Sequence, residues 1–174
     1  MTNYEVLKLT PIAGSYKEKH FGVTDSHPLW VQFNPIDSES WIGSFAGGET
    51  GLVNEKIVNI DQTHQVGILT NGSFYLIEIK SQESILHPEF GHFVDFEIII
   101  EKDLIILATN WEIIILKNNK HIKSIRPNFI DGIRFTNRNK DLLLGEMYQP
   151  EDGCWIMFEL DINTLKLKWQ ESEY

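Results

Sequence analysis

The sequence predicts an all-β protein built of antiparallel meanders, propeller-like in repeat, with a β-sandwich or barrel as the alternative. Three observations carry this prediction. The stretch 94–117, VDFEIIIEKDLIILATNWEIIILK, holds three short runs rich in Ile, Leu and Val, divided by turns. Short length and β-branching favour strands over a buried helix for such runs. Next, Asn71-Gly72 lies between two apolar runs, and both residues accept the positive φ of a type I′ hairpin turn. Finally, similar strand-turn-strand units recur, with Val94-Asp95-Phe96 and Ile130-Asp131-Gly132 as matching starts about 36 residues apart.

Taken in order, YEVLKLT (4–10) ends at Pro11 and reads as an edge strand. Residues 13–28, with Gly14, His20, Gly22, His27 and Pro28, read as a long loop. LWVQFNP and SWIGSFA alternate around a turn at Pro35–Ser38 and predict an N-terminal hairpin over 29–46. AGGETG (46–51) is Gly-rich but lacks phosphate-cradle spacing, so it reads as a plain loop. KIVNID, QVGILT and SFYLIEIK form the first unit, near 55–80, and residues 81–93 read as a loop.

The central stretch and KHIKSIR form the second unit, 94–125. Both faces of its strands are apolar, so both must be covered. FIDGIRF (129–135), DLLLGEMY (141–148), CWIMFELD (154–161) and LKLKWQ form the third, near 129–170. Meanders at this period resemble propeller blades in sequence. The expected organisation is one domain over 1–174, its open ends covered by the N-terminal segment or by a second chain.

Composition narrows the function classes. At 174 residues and 42% apolar, the chain is long and apolar enough for a packed core. A formal net charge of -10 argues against nucleic acid or anionic membrane as partner. Charged residues interrupt every window long enough to span a bilayer. Cys154 stands alone, so no internal disulfide forms, and beside Trp155 it reads as a small core residue. MTNYEVLKLTP shows no signal-peptide pattern, and the expected location is the cytoplasm.

The strongest polar constellation is Asp131, Arg134, Glu146 and Tyr148. Glu146 and Tyr148 share a face of one strand. A bulge at Gly132 would bring Asp131 beside Arg134. Such a set can bind a polar ligand or do acid-base work. The plainer reading is an Arg134–Glu146 cross-strand ion pair, with Asp131 capping a turn. No histidine pair has metal-ligand spacing; His87 and His92 come nearest, and neither metal nor cofactor is expected. Core packing accounts for most of Trp30, Trp41, Trp111, Trp155 and Trp169; an exposed one would mark a binding surface. Residues 117–140 carry seven basic residues against Asp131 alone, while 146–174 carry seven acids and two lysines. This reads as a basic face for an acidic partner, or as charge satisfied internally or across a homodimer.

Asp131-Gly132-Ile133-Arg134, Gly145-Glu146, Tyr148, Pro150, Asp152, Trp155, Phe158-Glu159-Leu160-Asp161 and Thr164 form a pattern. It resembles the C-terminal segment of a family of small uncharacterised bacterial all-β proteins, (W)DGIR…GExYxP…DxxWxxFELDxxT. This chain departs from it with Ile130, Met147 and Gln149. The resemblance implies a shared fold and brings no activity with it. The expected function is a non-enzymatic protein-binding module, like an immunity protein by analogy of size, acidity and missing motifs. The alternatives are a small-molecule binder or hydrolase built on Asp131, Arg134 and Glu146, and a homo-oligomeric structural module. Binding residues are expected among Asp131, Arg134, Glu146, Tyr148 and Trp155.

Overall fold

The computed structural model describes residues 3–12, 14–23, 27–48, 54–86 and 92–169. Strand makes up 59% of the described residues, in four separate four-stranded sheets, and none of these closes into a barrel. The all-β expectation holds, the barrel alternative does not, and propeller-like and sandwich packing both remain compatible. By contacts the chain forms two compact units, 1–92 and 93–174.

The first unit opens with β1 (Asn3–Leu7), β2 (Lys17–Phe21), β3 (Leu29–Asn34) and β4 (Trp41–Phe45), in sheet order β1-β3-β4-β2. β1 is an edge strand, as its sequence implies. β2 corrects the expectation of a loop over 13–28. KEKHF offers one buried apolar residue, Phe21, so the run shows no readable periodicity. Its partner decides it: β2 pairs parallel with β4, Lys17 against Trp41 through Phe21 against Phe45. This sheet is therefore mixed and not a simple meander.

The second sheet is a meander of β5 (Glu55–Ile60), β6 (Gln65–Thr70), β7 (Ser73–Glu78) and β8 (Glu83–Leu86). Asn71 and Gly72 join β6 to β7 with φ of 42° and 85°, the left-handed pair that a type I′ turn requires. β8 corrects the loop expected over 81–93. It is short and largely exposed, and it joins β7 across a register shift at Leu76/Ile77. His87, Pro88 and Gly91, and residues 49–51 of the Gly-rich loop, lie outside the described residues.

One core joins these two sheets. Phe21, Val31, Phe33, Trp41 and Phe45 meet Val66, Ile68, Tyr75 and Ile77. Phe33 stacks on Trp41 at 4.4 Å and Phe21 on Phe45 at 4.9 Å. Burial of each such ring contributes about 2–3 kcal/mol. Tyr75 meets its polar need by donating to the Ala46 carbonyl at 2.7 Å.

The second unit repeats the meander twice. β9 (Asp95–Ile99), β10 (Leu104–Ala108), β11 (Ile113–Lys117) and β12 (Lys120–Ile125) form one sheet. A single 3-10 turn, Ile100–Lys102, links β9 to β10. β13 (Ile133–Asn139), β14 (Leu142–Gln149), β15 (Cys154–Asp161) and β16 (Lys166–Trp169) form the other. All five residues of β10 are buried, which meets the requirement that both faces of the central stretch be covered. Ile106, Ala108, Ile113 and Ile115 pack with Ile133, Leu143, Met147, Phe158 and Leu160 in one cluster.

Candidate arginine and aromatic surface

β13 begins at Ile133, so Asp131 and Gly132 precede it instead of lying within a bulged strand. The bulge falls later, between Phe135 and Asn137. Gly132 donates to the Asn110 carbonyl at 2.7 Å and accepts from the Tyr148 amide at 2.9 Å. Its φ of +152° is a conformation side chains rarely adopt. A Cβ here would stand 3.1 Å from the Trp155 ring and 3.2 Å from the Tyr148 Cβ. The Asp-Gly-Ile-Arg run thus uses its glycine to let an indole lie against the backbone.

Beyond Gly132, register sorts the side chains. Arg134 stands opposite Glu146, and Tyr148 opposite Trp155. Arg134 Nε donates to Glu146 Oε2 at 2.7 Å, and a second guanidinium nitrogen lies 2.5 Å from the same oxygen. The guanidinium carbon sits 4.2 Å from the Trp155 ring centre. Tyr148 and Trp155 meet at 5.5 Å between centroids. The cross-strand pair therefore forms, and Trp155 and Tyr148 complete a four-residue cluster. Asp131 does not join it: among the described residues its carboxylate has no partner, and its amide donates to the Tyr148 carbonyl at 3.0 Å.

The cluster lies on the open face of the sheet. Trp155 keeps 44% of its surface exposed, and Met157, two residues along the same face, 58%. The Arg134 side chain is 56% exposed and Glu146 27%. An ion pair this wet contributes about 0.5 kcal/mol to stability, and the cation–π contact about 0.5–1 kcal/mol. Its larger effect is geometric, because a carboxylate and a ring face fix an otherwise free guanidinium.

Met157 was missed by sequence reasoning, although alternation through CWIMFELD places 155, 157 and 159 together. Phe129, at φ 58° and 70% exposed, and Trp111, 43% exposed, are the exposed aromatics of the flanking loops. Core packing is thus corrected for most of the tryptophans. Trp41 alone is fully buried, while Trp111, Trp155 and Trp169 are exposed large hydrophobics. Cys154 is half-buried and not a core residue.

The three arginines of the basic stretch are neutralised within their own unit. Arg126 pairs with Glu112 at 3.1 Å, Arg134 with Glu146, and Arg138 with Glu101 at 2.7 Å. Acids from before the stretch and from the tail both take part. Asp161 caps the β15–β16 turn, accepting from the Asn163 and Thr164 amides at 2.9 and 2.8 Å. Those bonds, the Thr164 amide foremost, hold its carboxyl below the usual range. This gives the Asp161…Thr164 part of the pattern a purely structural reason. Among the described residues, no group of three or more metal-ligating side chains gathers, and no helix is long and apolar enough to cross a membrane.

No protein-family model matches this chain, and no curated protein matches it.

Proposed function

We propose that this chain is a non-enzymatic, cytoplasmic protein-binding module, immunity-protein-like in its action, whose docking face is the open side of β13–β15. The observation that carries the reading is the Arg134 guanidinium, held between Glu146 and the exposed Trp155 ring. Tryptophan, tyrosine and arginine dominate the energetics of protein interfaces, and prior fixation lowers the entropy lost on docking. Arg134 and Glu146 satisfy each other on an open sheet face, whereas a hydrolytic site needs such groups converging on a substrate. With a formal net charge of -10, the partner class is a protein with a basic surface, drawn in by long-range attraction.

The test is a binding isotherm against a basic protein captured from the native host and then purified. Trp155→Ala and Arg134→Ala should each weaken binding by about 30-fold or more. Equal affinity for wild type and both variants would remove this face from the interaction. Light scattering after size exclusion supplies the second arm. A stable dimer that Trp155→Ala converts to monomer would assign the face to a second copy and overturn the foreign-partner reading.

A further inference from the structure

A cavity of about 430 Å³ opens in the second unit, away from the arginine and aromatic surface. The 3-10 turn, the tip of the β10–β11–β12 meander and the β15–β16 turn border it, and it is open to solvent. Leu104, Ile122, Ile162 and Leu165 supply apolar walls, and Lys102 and Lys117 supply ammonium groups. Its volume lies within the range of small-ligand sites.

The charges around it are unequally committed. Lys102 is fixed by Asp141 at 3.2 Å and by the Asn163 side-chain oxygen. Glu101 is taken by Arg138 at 2.7 Å. Asp161 is spent on the amides of its turn. Lys123 donates to the Leu165 carbonyl at 2.6 Å, which places a third ammonium beside the wall, with no ion pair among the described residues. Lys117 lines the cavity with no ion pair among the described residues, and Lys120 stands opposite it in register. The lining itself holds two ammonium groups, Lys102 and Lys117, and two carboxylates, Glu101 and Asp103; of the carboxylates Asp103 has no ion pair among the described residues, and Lys123 at the Leu165 carbonyl adds the surplus charge. Lys117 and Lys123 thus stand against Asp103 beside a pocket whose wall combines polar groups with apolar side chains, in a chain whose net charge is -10.

We infer that this cavity binds a small organic anion with an apolar body: the anionic head meets Lys117 beside Lys123, and the body lies along Leu104, Ile122, Ile162 and Leu165. Short-chain carboxylates and alkyl phosphates share this chemistry. A cation of equal length would meet the ammonium groups and be rejected.

The test is a nitrogen-proton NMR titration of the full chain with sodium hexanoate, hexylammonium chloride and inorganic phosphate. Hexanoate should shift the amides of Leu104, Lys117, Ile122 and Leu165 saturably, with Kd on the order of a millimolar. Hexylammonium and inorganic phosphate should not. Lys117→Glu should weaken hexanoate by about tenfold or more with the remaining spectrum unchanged. Ile122→Gln, on an exposed edge position, should weaken it with the charges intact, and Lys8→Glu in the other unit should leave it unaltered. An equal response to hexylammonium overturns the inference, as do shifts away from these residues, or Lys117→Glu and Ile122→Gln binding like wild type. Saturable binding of phosphate at the same amides would overturn the role given to the apolar walls.

Discussion

The Asp95 carboxylate at the start of β9 accepts a hydrogen bond from the Phe135 amide of β13 at 2.8 Å, joining the two sheets of the second unit. β13 is an edge strand of its sheet, so an amide directed away from β14 needs a partner from elsewhere. The other Asp95 oxygen accepts from the Phe96 amide, also at 2.8 Å, which fixes the rotamer. Asp95→Ala leaves a half-buried donor unpaired and should cost about 1–3 kcal/mol. Asp95→Asn keeps a neutral acceptor and should cost roughly half as much. Urea unfolding midpoints check both, and an alanine variant as stable as wild type would show that water replaces the carboxylate.

Gly132 should resist substitution more than Gly153. Both have positive φ, but nothing lies within 4 Å of a Cβ at Gly153, whereas one at Gly132 meets Trp155 at 3.1 Å and Tyr148 at 3.2 Å. Gly153→Ala should cost about 1 kcal/mol and Gly132→Ala about 2–3 kcal/mol. Thermal unfolding gives the ranking. A reversed order would mean that the Trp155 ring moves aside freely.

The surface cluster should be separable from stability. Arg134→Ala removes a solvent-exposed pair and a stacking contact, and should lower stability by about 1 kcal/mol or less. Its loss of partner binding should be much larger, as stated above. Comparable losses in both assays would make Arg134 a structural residue. Phe158→Ala, in the shared core, should instead cost about 3–5 kcal/mol.

Acid should weaken the β15–β16 turn and the turn after β7. The Asp161 carboxyl is held low by turn amides, that of Thr164 first. For Glu78, burial raises the value, and the bonds from Ser81 and Lys80 outweigh it to hold the carboxyl low. Both folded values lie below the unfolded ones, so the stabilisation is fully present above about pH 4, the unfolded range. It is lost as pH falls through the folded values. Urea midpoints of wild type and Asp161→Ala, followed from neutral pH to about pH 2, should converge at the acid end. A gap that stays constant with pH would assign the effect of Asp161 to something other than its charge.

What the sequence determined by itself is the local part. Runs of β-branched residues, the Asn71-Gly72 turn and alternation in LWVQFN set the strand class, one hairpin and the buried side of β3, because each depends only on neighbouring dihedrals and a period of two. The two-sided apolarity of 104–108 likewise required burial on both faces. The tertiary structure decided the rest. KEKHF becomes β2 only because β4 offers it a parallel edge. Tryptophans alike in sequence divide into the buried Trp41 and the exposed Trp111, Trp155 and Trp169 according to what packs against each. Arg134 could have met Asp131 or Glu146; the chain bends to β13 only after Gly132, and the register then sets Glu146 opposite it. Pairing, burial and charge neutralisation are long-range contacts, and the energies that choose among them arise between segments distant in the chain.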